Sequence, residues 1–290
     1  MIVNRTTVVA AWWVALLTIA PASLRGQEPA VARTYNTVKQ KLAQGRKVVG
    51  ATVTIPSPEI YCAVANAGFD FTWIEMQHSP LTYQDVARML MACKGAPAIP
   101  FIRVPDATEG DIQKATDVGA LGVIVPMVDT VEKARAAVTF AKYPPIGRRS
   151  QGGGQYGALW GDGYRQTAND NIMIVALIEN PAGVEIADQI AAVAGIDVIF
   201  VASTDLGSFM GRRQGDPQYE ALVTRTQEAA RRAGRALGGP LAWTNREGYR
   251  FFQGPGEAAL LRCGSRVTLG VQPTGCPSVG VAAIEGTEDR

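Results

Sequence analysis

Histidine is nearly absent. His78 is the only one in 290 residues, so if one side chain moves protons near neutral pH, it is this one. Cysteine is scarce as well, and Cys62, Cys93, Cys263 and Cys276 stand at spacings that fit no zinc signature. There is no excess of charge of either sign: 28 basic and 26 acidic residues leave +2, without the basic tract that nucleic-acid binding needs. No P-loop, dinucleotide fingerprint or serine elbow occurs, which argues against nucleotide chemistry and serine hydrolysis.

What is present is apolar mass. With 47% hydrophobic residues the chain can bury one large core, and an α/β barrel of ~250 residues is a normal single-domain solution. Arg5, an apolar run over residues 8–20 and then Pro21, Ala22 and Ser23 have the layout of a secretory signal peptide. The expected organisation is a signal peptide over residues 1–26, a lead-in over 27–46, the barrel over 47–270 and a poorly ordered tail over 271–290. Export to the periplasm or beyond follows if the signal works, and a cytoplasmic location if it does not. In an oxidising compartment Cys263 and Cys276 are the one pair expected to be able to bridge. Cys62, read near the start of one helix, and Cys93, near the end of the next parallel one, are expected to be too far apart.

Residues 48–55, 71–74, 98–104, 121–128, 171–178, 197–201, 240–243 and 249–252 read as eight strands, by their β-branched and apolar density. Helical spacing lies between them over 58–68, 82–94, 109–118, 131–141, 181–193 and 217–237, with a last helix over 256–266. This alternation predicts an α/β fold, a single (β/α)8 TIM-type barrel, with a doubly wound open sheet as the competing architecture. The glycine-rich stretch 144–163 is far longer than a usual connection of ~4 to 6 residues.

In a parallel barrel the chemistry gathers where strands end. The polar residues there are few: Glu75 and His78 after strand two, Arg103 closing strand three, Glu179 after strand five and Asp205 after strand six. Glu179 and Asp205 can hold a hard divalent cation through oxygen, or can instead cap helices, Glu179 before Pro181 and Asp205 in the turn that follows it. An arginine ending an apolar strand needs an anion, either a substrate carboxylate or enolate, or Glu75 or Glu179. The three glycines Gly152, Gly153 and Gly154, beside Arg148 and Arg149, can offer backbone N–H groups to an anion or form a mobile lid.

In order and spacing, FDFTWIEMQHSP, PFIRVP, GALGVIVPMVDTVEKA, YPPIGRRSQGGG, ALIENPAGVE and DVIFVASTDLGSFMG resemble the HpcH/HpaI aldolase family, metal-dependent class II pyruvate aldolases related to the citrate lyase β-subunit group. The resemblance covers residues 47–269. It implies a barrel, assembled as a trimer or hexamer, that reversibly cleaves a 4-hydroxy-2-oxo acid to pyruvate or a related 2-oxo acid and an aldehyde. It makes His78 the acid/base, Glu75 its orienting carboxylate, Arg103 a catalytic and substrate-binding residue, and Glu179 and Asp205 the ligands of Mg²⁺, Mn²⁺ or Co²⁺. Gln77, Gly153, Gly154, Ser203 and Thr204 are expected to contact substrate. The chain departs from the family pattern at Glu75 (usually Asp), Met76 (Gly), Gln77 (Glu), Leu177 (often Gln) and Ala202-Ser203 (Gly-Pro), and it is too short between Trp243 and Tyr249 for a full seventh helix. An acyl-CoA lyase of the citrate lyase or malyl type, an exported carboxylate-binding protein without turnover, and a metal-free barrel are the competing functional readings.

Overall fold

A computed structural model describes residues 1–2, 34–272 and 274–276, and every element named here belongs to the compact unit Ala32–Arg290. Apart from its first two residues the expected signal peptide, and with it most of the tail, lies outside the described residues. Along the chain run α1 (Thr37–Ala43), β1 (Val48–Val53), α2 (Pro58–Ala65), β2 (Phe71–Glu75), α3 (Tyr83–Ala92), β3 (Ile99–Arg103) and α4 (Glu109–Asp117). Then follow β4 (Gly122–Val125), α5 (Val131–Ala141), α6 (Tyr156–Trp160), α7 (Tyr164–Asn171), β5 (Met173–Ile178), α8 (Pro181–Glu185) and α9 (Ala187–Ala192). The chain continues with β6 (Val198–Val201), α10 (Ser203–Met210), α11 (Pro217–Arg232), β7 (Ala236–Pro240), β8 (Tyr249–Gly256) and α12 (Glu257–Thr268). The eight strands close in sequence order, each parallel to its neighbours, with β8 pairing back to β1. This is a (β/α)8 barrel, as the alternation predicts.

Strand seven is not where the spacing put it. It spans Ala236–Pro240, and the stretch 241–243 is a single 3₁₀ turn rather than a strand. That turn and a short loop replace the seventh helix, and because β7 already begins at Ala236, α11 ends at Arg232 and not at Leu237. Two glycines conceal the strand. A Cβ on Gly238 would stand 2.6 Å from the Phe200 ring and 3.0 Å from the Phe251 carbonyl oxygen, so close packing demands residues of low strand preference there.

The barrel interior is filled by rings fitted against glycines. Phe71 lies 5.0 Å from Phe101 and 4.5 Å from Phe251, and Phe200 lies 5.2 Å from Trp73, centroid to centroid. All five side chains are buried, and each contributes roughly 1.5–3 kcal/mol by leaving water. Gly50 and Gly122 make the room: a Cβ on either would fall 2.1 Å and 1.9 Å from the Phe71 and Phe101 rings. The site above therefore rests on a rigid, dry floor.

Below that floor the N-terminal end is laced shut. Asn36, fully buried, donates from Nδ2 to the carbonyls of Leu121 and Asn171. Lys142, also buried, donates from Nζ to the carbonyls of Asn169 and Ile172. Burial pushes the Lys142 amine down to about 8, against the pull of nearby Asp197. Below pH 8 the folded protein bears the cost of a buried ammonium. Between about 8 and the unfolded value of 10.5 the folded state has lost a proton that the unfolded state still holds, so stability rises with pH across that window. Urea unfolding of wild type and Lys142→Met from pH 7 to 11 is expected to show a wild-type gain, relative to the variant, on the order of 2 kcal/mol. A constant difference would contradict it.

The cysteines correct one expectation. Cys62 and Cys93 are disulfide-bonded, with Cα atoms 5.4 Å apart. Because α2 ends at Ala65, Cys62 lies at the start of its last turn, within reach of Cys93, which caps the C-terminus of the adjacent α3. Cys263 and Cys276 pair as well, with Cα atoms 5.7 Å apart.

Candidate active site

Side-chain caps start the first five helices that leave the C-terminal ends of the strands. Ser57, Thr82, Thr108, Thr130 and Asn180 each accept a hydrogen bond from a first-turn N–H. The sixth is different. The residue before α10 is Ala202, which has no side chain to accept, so the N–H groups of the first turn Ser203, Thr204 and Asp205 lack a side-chain cap. These three residues line a cavity of about 90 Å³ in the mouth of the barrel, with Trp73, Arg103, Leu177, Phe200, Ala202, Pro240 and Gln253.

Arg103 is the centre of the charge. It is the last residue of β3, buried, and in register with Glu75 at the end of β2. Its Nη1 donates to Glu75 Oε2 at 3.3 Å and its Nη2 to Glu179 Oε1 at 3.4 Å. Its Nε–H is buried with no partner among the described residues. A buried donor left open in a cavity wall is costly unless something binds there.

Glu75 is saturated. Oε1 accepts from the backbone N–H groups of Gln77 and His78, at 3.0 and 3.1 Å, and Oε2 from Trp73 Nε1 at 3.1 Å besides Arg103. Ser79 closes the same turn by donating from Oγ to the Glu75 carbonyl. The expected carboxylate–imidazole pair is therefore replaced by a carboxylate–backbone pair: among the described residues Glu75 positions the turn that carries His78, not the ring. His78 itself is exposed at the rim, and Gln77 is half-buried with its Oε1 unpartnered.

Glu179 takes a third kind of support. Its Oε1 also accepts from the Met127 N–H at 3.0 Å. Met127 has φ 50°, the one positive φ outside glycine among the described residues, and strain of this kind gathers at functional sites. Burial raises the Glu179 carboxyl above the ordinary range, against the Met127 N–H and Arg103, and the nearby Asp205 carboxylate raises it further. Glu75, Glu179 and Asp205 outnumber Arg103 by two negative charges, and Glu179 Oε2 accepts no hydrogen bond from the protein among the described residues. Two facing carboxylates with a surplus of negative charge suit a hard divalent cation.

Gly153 and Gly154 are not in this mouth. The glycines lie between α5 and α6 at the opposite, N-terminal end, where a Cβ on Gly154 would fall 2.8 Å from the carbonyl of Asp117, at the end of α4. Arg149 is committed there too. Its side chain is fully buried, donates to Asp117 Oδ1 and Tyr164 OH at 2.8 Å each, and lies over the rings of Tyr143, Tyr156 and Tyr164. Arg148 pairs with Glu109 near the surface. The structure thus brings together Glu75, Arg103, Glu179, Asp205, Ser203 and Thr204, keeps Gln77 and His78 on the adjoining rim, and separates the glycines. Trp73, the Met127 N–H and Gln253 join the site without having been singled out; the strand alternation that turns Glu75 inward also turns Trp73 inward, while the Met127 backbone leaves no mark in the residue types.

A parallel barrel with carboxylates and an arginine converging at its C-terminal mouth is the architecture of a barrel enzyme. Residues 53–253 match the family model described as HpcH/HpaI aldolase/citrate lyase, and the chain belongs to that family. It is 33% identical over 208 residues to a 2-keto-3-deoxy-L-rhamnonate aldolase of Klebsiella pneumoniae subsp. pneumoniae, covering 70% of this chain and 78% of that protein. It is 32% identical to a hydroxypyruvate/pyruvate aldolase of Roseobacter denitrificans, over 70% of this chain and 81% of that protein. The fold superposes on an HpcH/HpaI aldolase/citrate lyase family protein from Burkholderia cenocepacia J2315 with a TM-score of 0.74 at 29% identity, over 81% of this chain and 98% of that one. The chain is a carbon–carbon lyase of the class II pyruvate aldolase type. Enzymes of this family generally depend on a divalent metal ion.

Proposed function

We propose that the enzyme cleaves a 4-hydroxy-2-oxo acid to pyruvate and an aldehyde at the mouth of the barrel, with Glu179 and Asp205 holding a Mg²⁺, Mn²⁺ or Co²⁺ ion. The observation that carries this is Arg103, buried between Glu75 and Glu179 with an unpartnered Nε–H in the cavity wall. The names of the two aldolase relatives support a 2-oxo acid as substrate. When bound, the cation supplies positive charge against the 2-oxo oxygen.

The chain's own groups do the rest. The uncapped N–H groups of α10, with Ser203 and Thr204, receive the substrate carboxylate. His78, directly or through water, takes the proton of the C4 hydroxyl. The C3–C4 bond breaks, its electron pair moves to C3 and the C2 oxygen, and Arg103 stabilises the negative charge that develops there. After the aldehyde leaves, the proton returns from His78 to C3 and yields the pyruvate methyl. Buried Trp73 and Phe200 keep water from the enolate. In deuterated water with Mn²⁺, the protein is expected to exchange the pyruvate methyl protons, and His78→Ala and Asp205→Asn to slow that exchange by ~10²-fold or more. Wild-type protein without exchange would end this reading.

We also propose that it acts after export and as a homo-oligomer, a trimer or hexamer. Pairing of all four cysteines supports an oxidising compartment. The outward apolar residues of the C-terminal stretch, Leu261 at 59%, Val267 at 67% and Leu269 at 76% exposure, support assembly. Light scattering of the exported protein, with thiol titration under denaturing conditions, is expected to give a multiple of the chain mass and no free thiol. A monomer would contradict the assembly, and free thiols the compartment.

A further inference from the structure

Gln253 is the one amide side chain lining the mouth cavity, and the reaction proposed above leaves it without a task. It stands two residues beyond Phe251 on β8, one layer above the aromatic floor, and it is half-buried. Its orientation can be worked out from its neighbour on β1. Thr52 Oγ1 donates its only proton to the Gly254 carbonyl at 3.0 Å, so toward Gln253 it offers lone pairs alone. The amide must therefore turn its nitrogen to Thr52, and Nε2 lies 3.4 Å from Thr52 Oγ1. Oε1 is left as the free end, with no protein partner among the described residues.

We infer that Gln253 Oε1 accepts a hydrogen bond from a hydroxyl group carried by the aldehyde half of the substrate, and that it makes the enzyme select hydroxylated aldehydes over their deoxy counterparts. The inference rests on the proposed aldolase chemistry and adds the class of acceptor to it. A neutral amide oxygen in a cavity that Asp205 also lines attracts donors and repels acceptors. The carboxylate and keto oxygens of a 2-oxo acid are acceptors only, and they have their own partners in α10 and Arg103. The donors left on the substrate are hydroxyls. In the closed barrel β8 and β2 both flank β1, so Gln253 stands on the side of the mouth next to the turn that carries His78, where the aldehyde half is formed. Leu177, which lines the same cavity from β5, is apolar and cannot serve.

Discrimination of this kind has a characteristic size. An unmatched polar group facing a substrate that lacks its partner costs about tenfold or more in kcat/KM. The test condenses pyruvate with glycolaldehyde and with acetaldehyde, and reads the ratio of the two kcat/KM values. Wild type is expected to favour glycolaldehyde, Gln253→Leu to lower the ratio about tenfold or more, and Gln253→Asn, which keeps an amide but draws it back by one methylene, to lower it less than the leucine variant does. Because the ratio is internal, partial loss of folded protein does not change it, and Gln253→Met replaces the leucine variant if that one does not fold. Pyruvate proton exchange without aldehyde is measured alongside. Exchange in wild type together with a ratio indifferent to Gln253 overturns this inference and leaves the aldolase standing, whereas no exchange removes both.

Discussion

Arg103→Ala is expected to lower kcat/KM for cleavage of a 4-hydroxy-2-oxo acid by ~10²–10³-fold, the usual effect of removing a donor aimed at developing negative charge in a dry site. It is also expected to destabilise the fold by about 3–5 kcal/mol, since Glu75 and Glu179 would then be buried without their countercharge. The two effects separate in Arg103→Lys. A lysine restores one positive charge but cannot reach both carboxylates as a planar fork and still leave a donor for the substrate. Urea unfolding should therefore recover part of the lost stability while turnover stays low. Equal recovery of both would mean that Arg103 acts only as a structural counterion, and an alanine variant with near wild-type turnover would remove it from the reaction altogether.

Arg149→Ala should have the reverse profile. Arg149 is the more deeply buried of the two, held between Asp117 and Tyr164 under three tyrosine rings. Truncating it strands Asp117 and opens a cavity beneath those rings, so a loss of about 3–5 kcal/mol is expected. The loop it anchors lies at the far end of the barrel from Arg103. Calorimetry should show a lower unfolding temperature, and at a temperature where both proteins are folded the pyruvate exchange rate should stay within about twofold of wild type. A selective loss of turnover with unchanged stability would mean that the loop reaches an active site after all.

The barrel was legible because its strands are dense in β-branched and aromatic residues, and because chain order alone dictates how parallel strands close. Strand seven escaped because Gly238 and Gly239 lie where neighbouring rings leave no space for a side chain. The Cys62 pairing escaped because the helix was read through to residue 68 whereas α2 ends at Ala65, and an overrun of three residues moves the apparent end of a helix about 4.5 Å along its axis. The glycine loop was misplaced for a different reason. Its length does signal special construction, but it follows a helix and precedes a strand, and such loops lie at the N-terminal end of a barrel. That much could have been read from the order of the elements. The site was legible as a set of strand ends, which is why Glu75, Arg103, Glu179 and Asp205 emerge together. What the residue types do not encode is the aim of each group: that Glu75 grips the backbone of His78 and not its ring, and that a left-handed Met127 turns an N–H onto Glu179.

The aromatic floor of Phe71, Phe101, Phe251 and Phe200, set tightly against Gly50 and Gly122, also governs traffic through the enzyme. No route leads downward through it, so the mouth serves as both entrance and exit. On the proposed chemistry, aldehyde and pyruvate depart through the opening that admitted the acid, and a fragment held at α10 and Arg103 is expected to leave last. The expected consequence is product inhibition: pyruvate in the surroundings should compete with the acid for the same doorway.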